Sequence, residues 1–210
     1  MEPILKVENL TKVFSRSGQD AFTAVNDISF SLNPGECLGI IGESGTGKTT
    51  AVNLITRLLD ATEGSILLDG EEITHLKGRE LRKVYQKMQM VFQTPTDSFD
   101  PRRTLGDGIG ESLRNIGMSR KETREEVERL LGKCGLSADF ADRYPHQVSG
   151  GQCQRAAIAR ALAVKPRLLI CDEATSALDV TVQKEILELL NELRSQQGNS
   201  LSILFICHDI

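Results

Sequence analysis

The feature that most constrains the fold is a glycine-rich loop between an apolar strand and an amphipathic helix. Residues 42–49 read GESGTGKT and follow the apolar run Cys37–Ile41. Over residues 48–59 the apolar positions recur at helical spacing. In this context the pattern predicts a phosphate-binding loop, because curled backbone N–H groups and a helix N-terminus both face an anion there. The alternative, a glycine-rich turn beside a surface lysine, does not require a strand before it and a helix after it.

The loop supplies most of the predicted phosphate contacts. Lys48 can reach the terminal phosphates of a nucleotide, and the Thr49 hydroxyl can coordinate Mg²⁺. The residues that we predict to line the phosphate groups are Gly42, Glu43, Ser44, Gly45, Thr46, Gly47, Lys48, Thr49 and Thr50.

A second candidate site is the acidic end of a buried strand. Residues 168–171 are apolar, and Asp172 and Glu173 follow them directly. Parallel sheets place active groups at the carboxyl ends of their strands. Adjacent residues on an extended strand face opposite ways, so we expect different roles: Asp172 for Mg²⁺ and Glu173 as general base toward water. Alone, such a strand end is more typical of a solvated surface.

The order of strand-like and helix-like segments predicts an α/β fold. We expect a mainly parallel central sheet of the P-loop NTPase type, an N-terminal antiparallel part and a helical insertion. The predicted division is residues 1–94 for the first part of a nucleotide-binding core, 95–162 for the helical subdomain, and 163–210 for the second part of the core. Within the insertion, Ser119 and Glu122 form a capping-box pattern.

Composition excludes several classes of protein. The 210 residues carry a net charge of −4 and 4% aromatic residues, which gives no reason to expect nucleic acid as a partner. No apolar run approaches the length of a membrane span, and the N-terminus does not resemble a signal peptide. The five cysteines are widely spread, which argues against a disulfide framework or a zinc site. These features predict a cytoplasmic protein that reaches a membrane only through a partner.

The tetrapeptide Ser149, Gly150, Gly151 and Gln152 resembles the signature of ABC ATPases, and with the loop and the acidic pair the resemblance extends over the whole chain. It implies ATP and Mg²⁺ as ligands and a dimer of two cassettes. In that dimer the signature of one cassette contacts the γ-phosphate of the ATP that the other cassette holds.

The resemblance also implies roles for four further residues. Gln93 matches the glutamine that contacts Mg²⁺ or the attacking water and signals to the membrane partner. Asp179 ends the D-loop match, residues 176–179. His208 matches the histidine that contacts the γ-phosphate, and it joins Glu173, Gln93 and Lys48 in the predicted catalytic set. Phe14 stands where the family has an aromatic residue stacked on adenine.

The chain also departs from the family pattern. Val148 replaces a leucine before the signature and Ala174 replaces a proline after Glu173. The sequence ends two residues after His208, where family members continue, and this suggests a truncated cassette.

A narrower resemblance concerns the segment around Gln93. This segment resembles the oligopeptide, dipeptide and nickel importer group at residues 89–93, Ser98, Pro101, Arg102 and Thr104, and in the stretch 143–146. Its members work with transmembrane permease subunits and, indirectly, an extracytoplasmic solute-binding protein. This resemblance implies a peripheral position on the inner face of the cell membrane. Two alternatives stay open: a soluble ABC ATPase without a transporter, and a nucleotide-binding module without turnover.

Overall fold

The computed structural model describes residues 2–15, 20–43, 45–174, 178–196 and 201–207. Within these ranges the chain forms the strands β1 (Leu5–Phe14), β2 (Phe22–Leu32), β3 (Cys37–Ile41), β4 (Glu63–Leu68), β5 (Glu71–Glu72), β6 (Met88–Val91), β7 (Leu168–Asp172) and β8 (Ser202–Cys207). The helices are α1 (Lys48–Ile55), α2 (Gly78–Lys87), α3 (Leu105–Asn115), α4 (Arg120–Lys133), α5 (Gly150–Leu162) and α6 (Val180–Gln196).

The strands form two sheets, and this confirms the predicted α/β architecture with an antiparallel part near the N-terminus. One sheet has the order β2-β1-β4-β5, with antiparallel pairing. The other has the order β3-β8-β7-β6, with every pair parallel. Parallel pairing brings the carboxyl ends of these four strands to one edge of the sheet, where α/β proteins place their ligands.

The first sheet contains a tight turn between β4 and β5. Asp69 and Gly70 connect β4 to β5, and both have positive φ, 55° and 76°. Two consecutive residues with positive φ are typical of the two-residue hairpin turn that suits twisted strands. The Asp-Gly pair therefore fixes this corner locally.

The helix after the glycine-rich loop is shorter than the spacing predicts. It ends at Ile55 rather than at residue 59. The Thr56 hydroxyl donates to the Val52 carbonyl oxygen at 2.8 Å, and Arg57 has φ +61°, a conformation that a helix cannot continue. Leu58, predicted on the apolar face, is 60% exposed.

The helical insertion packs against one face of the parallel sheet. Leu113, Val127 and Ile158 of three insertion helices share a buried cluster with Leu169 and Cys171 of β7. The predicted capping box of α4 is confirmed: the Ser119 N–H donates to the Glu122 carboxylate at 2.9 Å, and the Glu122 N–H donates to the Ser119 hydroxyl at 3.3 Å. Within the described residues, none of the helices combines the length and the hydrophobicity that crossing a bilayer requires.

Candidate functional site

The glycine-rich loop leads directly into α1, and its backbone depends on glycine. Gly45 and Gly47 have φ of 84° and 89°, which side chains other than glycine rarely adopt. A Cβ atom on Gly47 would lie 2.2 Å from the carbonyl oxygen of Ala24 in β2. Gly47 is also the N-cap of α1, and it provides no side chain to bond the first helical N–H groups. This helix start therefore presents backbone donors and the positive end of the helix dipole to a ligand.

Lys48 holds the loop closed from inside. The residue is buried, and its ammonium group donates to the carbonyl oxygens of Gly42 and, at 2.7 Å, of Glu43. The Thr46 hydroxyl donates to the same Glu43 oxygen at 2.9 Å. These bonds keep a positive charge inside the curl of the loop, where the phosphate groups of a nucleotide would lie.

A cavity of about 420 Å³ opens at the loop and collects predicted residues from separate parts of the sequence. Besides glycines of the loop and Lys48, it is lined by Gln93 after β6 and Glu173 after β7. Its full lining is Phe22, Ala24, Gly45, Gly47, Lys48, Thr49, Thr50, Gln93 and Glu173. The cavity thus combines a cation, hydroxyls, an amide and a carboxylate at the carboxyl edge of the parallel sheet.

The two acids occupy different backbone conformations. Asp172 is the last residue of β7, opposite Ile206 of β8, and is buried. The expectation that both acids lie on extended strand is wrong for Glu173, which has φ +46° while its N–H donates to the Ile206 carbonyl oxygen at 3.0 Å. A residue other than glycine in this region is strained, and such strain clusters at functional sites. The turn brings the Glu173 side chain to the cavity with only 9% of the residue exposed.

The thiol before the acidic pair is a packing group. Complete burial raises the pKa of Cys171, so the thiol stays protonated at neutral pH. It faces the helical insertion, in the cluster that α5 also enters. The sequence therefore places a neutral, small side chain next to the carboxylates.

The residues predicted for Mg²⁺ fit that ion by their chemistry. Thr49 offers a hydroxyl, Gln93 an amide carbonyl and Asp172 a carboxylate, and Mg²⁺ prefers such oxygen donors. Thr49 and Gln93 line the same cavity. Strands β6 and β7 pair in parallel, with Val91 opposite Cys171. Gln93 follows β6 by two residues and Asp172 ends β7, so both lie at the carboxyl ends of neighbouring strands.

The signature residues form a second glycine-containing helix start. Ser149 is the N-cap of α5: its hydroxyl accepts from the Gln152 N–H at 3.3 Å, and its own N–H donates to the Gln152 side-chain oxygen at 2.9 Å. A Cβ atom on Gly151 would lie 2.6 Å from Cγ1 of Val182, so glycine lets α5 approach α6 closely. Among the described residues, the lining of the phosphate-loop cavity includes no signature residue.

Asp179 and Phe14 are the remaining predicted site residues that the structure describes. The Asp179 carboxylate accepts from the Val182 N–H at 3.0 Å and so caps the first turn of α6. Phe14, at the end of β1, is 41% exposed and has the Lys12 ammonium 5.2 Å from its ring centroid. Ser44, His208 and the D-loop residues Ser176 and Ala177 lie outside the described residues.

Sequence reasoning missed two residues of β2, Phe22 and Ala24. Both line the cavity, and Ala24 fixes the strand against Gly47. The antiparallel pairing of β1 and β2 brings these residues to the site, and it places Phe22 directly opposite Phe14. Register cannot be read from the motif alone, and neither residue type indicates phosphate chemistry.

Comparison with known proteins identifies the family of this chain. The family model described as ABC transporter matches residues 25–176. The probable peptide ABC transporter ATP-binding protein y4tS of Sinorhizobium fredii is 45% identical, over 100% of this chain and 61% of that protein. The oligopeptide transport ATP-binding protein OppF of Escherichia coli is 46% identical, over 89% of this chain and 56% of that protein. The chain thus spans less than two thirds of the length of either relative.

Solved structures share the fold along nearly the whole chain. The ATP-binding cassette MJ0796, solved as a dimer in a post-hydrolysis state bound to ADP and Pi, superposes with a TM-score of 0.87 at 33% identity, covering 98% of this chain and 88% of that one. CbiO1 of Clostridium perfringens, part of the transporter complex cbiONQ, gives a TM-score of 0.85 at 30% identity over 100% of this chain and 80% of that one. The chain therefore belongs to the ABC transporter family, in which it forms an ATP-binding domain.

Proposed function

We propose that this chain binds ATP with Mg²⁺ and hydrolyses it to drive a membrane importer for peptides. The observation that carries the proposal is the cavity in which Lys48, Thr49, Gln93 and Glu173 meet. A phosphate-binding lysine, a magnesium ligand and a buried carboxylate are the groups that transfer of a phosphoryl group to water requires. Peptide as cargo is supported by the names of the relatives, which describe peptide and oligopeptide transport proteins.

Each side chain has a distinct part in the mechanism. The loop N–H groups and Lys48 hold the β- and γ-phosphates, and Thr49, Gln93 and Asp172 would hold the metal. Bound there, Mg²⁺ would neutralise negative charge on these phosphates. The Glu173 carboxylate orients a water molecule and accepts its proton as the water oxygen attacks the γ-phosphorus. The bond to the β-phosphate oxygen breaks, leaving ADP and inorganic phosphate.

The signature requires a second cassette in this proposal. Residues 149–152 start α5 away from the cavity lining, so they would act on the γ-phosphate bound by a partner cassette, either a copy of this chain or a related subunit. His208, which follows Cys207 in the sequence, would assist in hydrolysis. A dimeric relative, MJ0796, supports this arrangement.

Coupling to transport is also part of the proposal. We assign residues 1–94 and 163–210 to the nucleotide-binding core and 95–162 to a helical subdomain, which would pass the motion at Gln93 to a transmembrane permease. An extracytoplasmic binding protein would deliver the solute to that permease. In this proposal the chain would lie at the inner face of the membrane. A soluble ABC ATPase with a long coiled coil is disfavoured, because α3 and α4 have only 11 and 14 residues.

The test compares hydrolysis by the parent chain with that by Glu173→Gln, at saturating ATP and Mg²⁺. Loss of a general base should lower kcat by about 100-fold or more while ATP binding is retained. Glu188→Gln is the matched control, because Glu188 is exposed on α6 and its carboxylate lies 3.9 Å from the Lys184 ammonium. Equal turnover in Glu173→Gln and the parent, or a parent that binds no ATP, would contradict the proposal.

A further inference from the structure

Gln154 is a polar side chain on a helix whose other buried residues are apolar. It lies on α5, five residues after Ser149, and is fully buried. Among the described residues, neither its side-chain oxygen nor its side-chain nitrogen has a hydrogen-bond partner. Most buried polar groups in proteins are hydrogen-bonded, because an unpaired donor or acceptor keeps the cost of losing its water. An unpaired amide at this position therefore calls for an explanation.

The face of α5 that carries Gln154 is turned toward the chain between β7 and α6. Residues three and four apart lie on one side of a helix, so Gln154 is on the side of Gly150 and Gly151. A Cβ atom on Gly150 would lie 3.4 Å from Cδ2 of Leu178, and one on Gly151 would lie 2.6 Å from Cγ1 of Val182. Long helical side chains lean toward the N-terminus of their helix, which is the direction of these glycines. The amide is therefore beside the stretch that leads from the acidic end of β7 to α6.

The polar groups at the start of α6 are already paired with one another. The Asp179 carboxylate accepts from the Val182 N–H at 3.0 Å. The Gln183 side chain donates to the Leu178 carbonyl oxygen at 3.0 Å, and the Gln183 N–H donates to the Asp179 carbonyl oxygen at 2.9 Å. In this arrangement these groups are used within the first turn of α6, and Gln154 bonds to none of them.

In the proposed mechanism, Gln154 stands between the two places where this chain would contact ATP. The start of α5 would contact the γ-phosphate held by a partner cassette, and Glu173 would orient water toward the γ-phosphate of its own chain. Helix α5 also packs against β6 and against the turn Pro95–Ser98, the two elements that flank Gln93. A hydrogen bond across this junction would make the position of one contact depend on the other.

We infer that Gln154 is a positioning residue that couples the signature to Glu173. Its amide is unpaired without nucleotide, and it gains hydrogen bonds to the backbone near Ala174 when bound ATP draws the start of α5 and this backbone together. The inference rests on the proposed function, because it assumes ATP at both contacts. The cost of the unpaired amide raises the free energy of the nucleotide-free chain alone, so it shifts the equilibrium toward the ATP-bound arrangement.

The first part of the experiment measures the thermal unfolding of Gln154→Met without nucleotide. Methionine has nearly the volume of glutamine and no strong hydrogen-bonding group, so it removes the amide without opening a cavity. We expect Tm to rise by about 2–4 °C, because an unpaired polar group is gone. Thr123→Val is the matched control, since the Thr123 hydroxyl on α4 is also buried without a partner among the described residues.

The second part of the experiment adds ATP. We expect Gln154→Met to lower kcat about tenfold with an unchanged KM for ATP, because one hydrogen bond is lost while the phosphate loop is intact. In a Glu173→Gln background, which should retain ATP, Mg-ATP should raise Tm less when Gln154→Met is present. Thr123→Val should raise the nucleotide-free Tm similarly, and it should keep the parent kcat and the full rise with ATP.

Several results would overturn the inference. A lower Tm of nucleotide-free Gln154→Met would mean that the amide is bonded without ATP. A parent-like kcat, an unchanged rise of Tm with ATP, or an equal loss of kcat in Thr123→Val would show that Gln154 does not position the reacting groups. A parent chain that binds no ATP would instead contradict the proposed function.

Discussion

Two helices of this chain, α1 and α5, begin at glycine-rich segments, but their first turns differ in side-chain capping. The first turn of α1 follows Gly47, which provides no capping side chain, and it opens onto a cavity. The first turn of α5 is closed by its own residues, because Ser149 and Gln152 bond each other reciprocally. Glycines at a helix start therefore accompany an uncapped first turn that faces a cavity in one place and a capped first turn in the other.

This difference indicates how the two sites would work. In the proposed mechanism the phosphate loop would bind its ligand within a single chain. The signature has to exchange its internal hydrogen bonds for bonds to a ligand, which fits a contact made only when a partner cassette brings the γ-phosphate. Substitutions at the two helix starts should therefore have different effects on ATP binding and on hydrolysis.

The largest effect should come from Lys48→Ala. It removes the charge held inside the loop, and we expect ATP affinity and turnover to fall by about 100-fold or more. Titration calorimetry and phosphate release measure the two quantities. Lys121→Ala is the control, because Lys121 is exposed on α4 and lies 4.0 Å from Glu125. Parent-like ATP binding by Lys48→Ala would contradict the proposal that this loop holds the phosphates.

Gly47→Ala should have the next largest effect. The new methyl group would meet the Ala24 carbonyl oxygen at 2.2 Å and force alanine to φ +89°. We expect a loss of about 2–3 kcal/mol in the free energy of unfolding, together with weaker nucleotide binding. Urea denaturation measures the change in the free energy of unfolding.

The matched control for this glycine is Gly132→Ala in α4. Among the described residues, no atom outside the helix's own backbone lies within 4 Å of a Cβ atom there, and the residue is helical. Alanine should raise the stability by about 0.5–1 kcal/mol. If both substitutions changed stability equally, the close approach at Ala24 would not be what makes Gly47 necessary.

The sequence predicts the parts of the site that short motifs encode. Strand β3, the start of α1 and the capping box at Ser119 are confirmed, because each depends on residues within a few positions of one another. The left-handed conformation of Glu173 is not predictable in this way, since it follows from a bond to Ile206 on another strand. Helix α2 is also not predictable from an apolar stripe, because Val84 is the only buried residue of this helix.

The smallest effect should distinguish the two capping boxes. Ser149→Ala and Ser119→Ala should each lower the free energy of unfolding by about 1 kcal/mol, because each removes an N-cap hydroxyl. Only Ser149→Ala should also lower ATP hydrolysis by paired cassettes. Thermal unfolding and phosphate release measure both outcomes. Unchanged hydrolysis by Ser149→Ala would mean that its hydroxyl is only a cap.

The most direct test of the division between the two helix starts is the ATP affinity of a single chain with a blocked signature. Gly150→Arg puts a bulky side chain at the exposed start of α5, where a Cβ atom would lie 3.4 Å from Cδ2 of Leu178, an ordinary contact. We expect calorimetric titration of this variant to give the parent affinity for Mg-ATP, while ATP hydrolysis is lost. A loss of affinity as large as that of Lys48→Ala would contradict it, because the signature would then belong to the nucleotide site of its own chain.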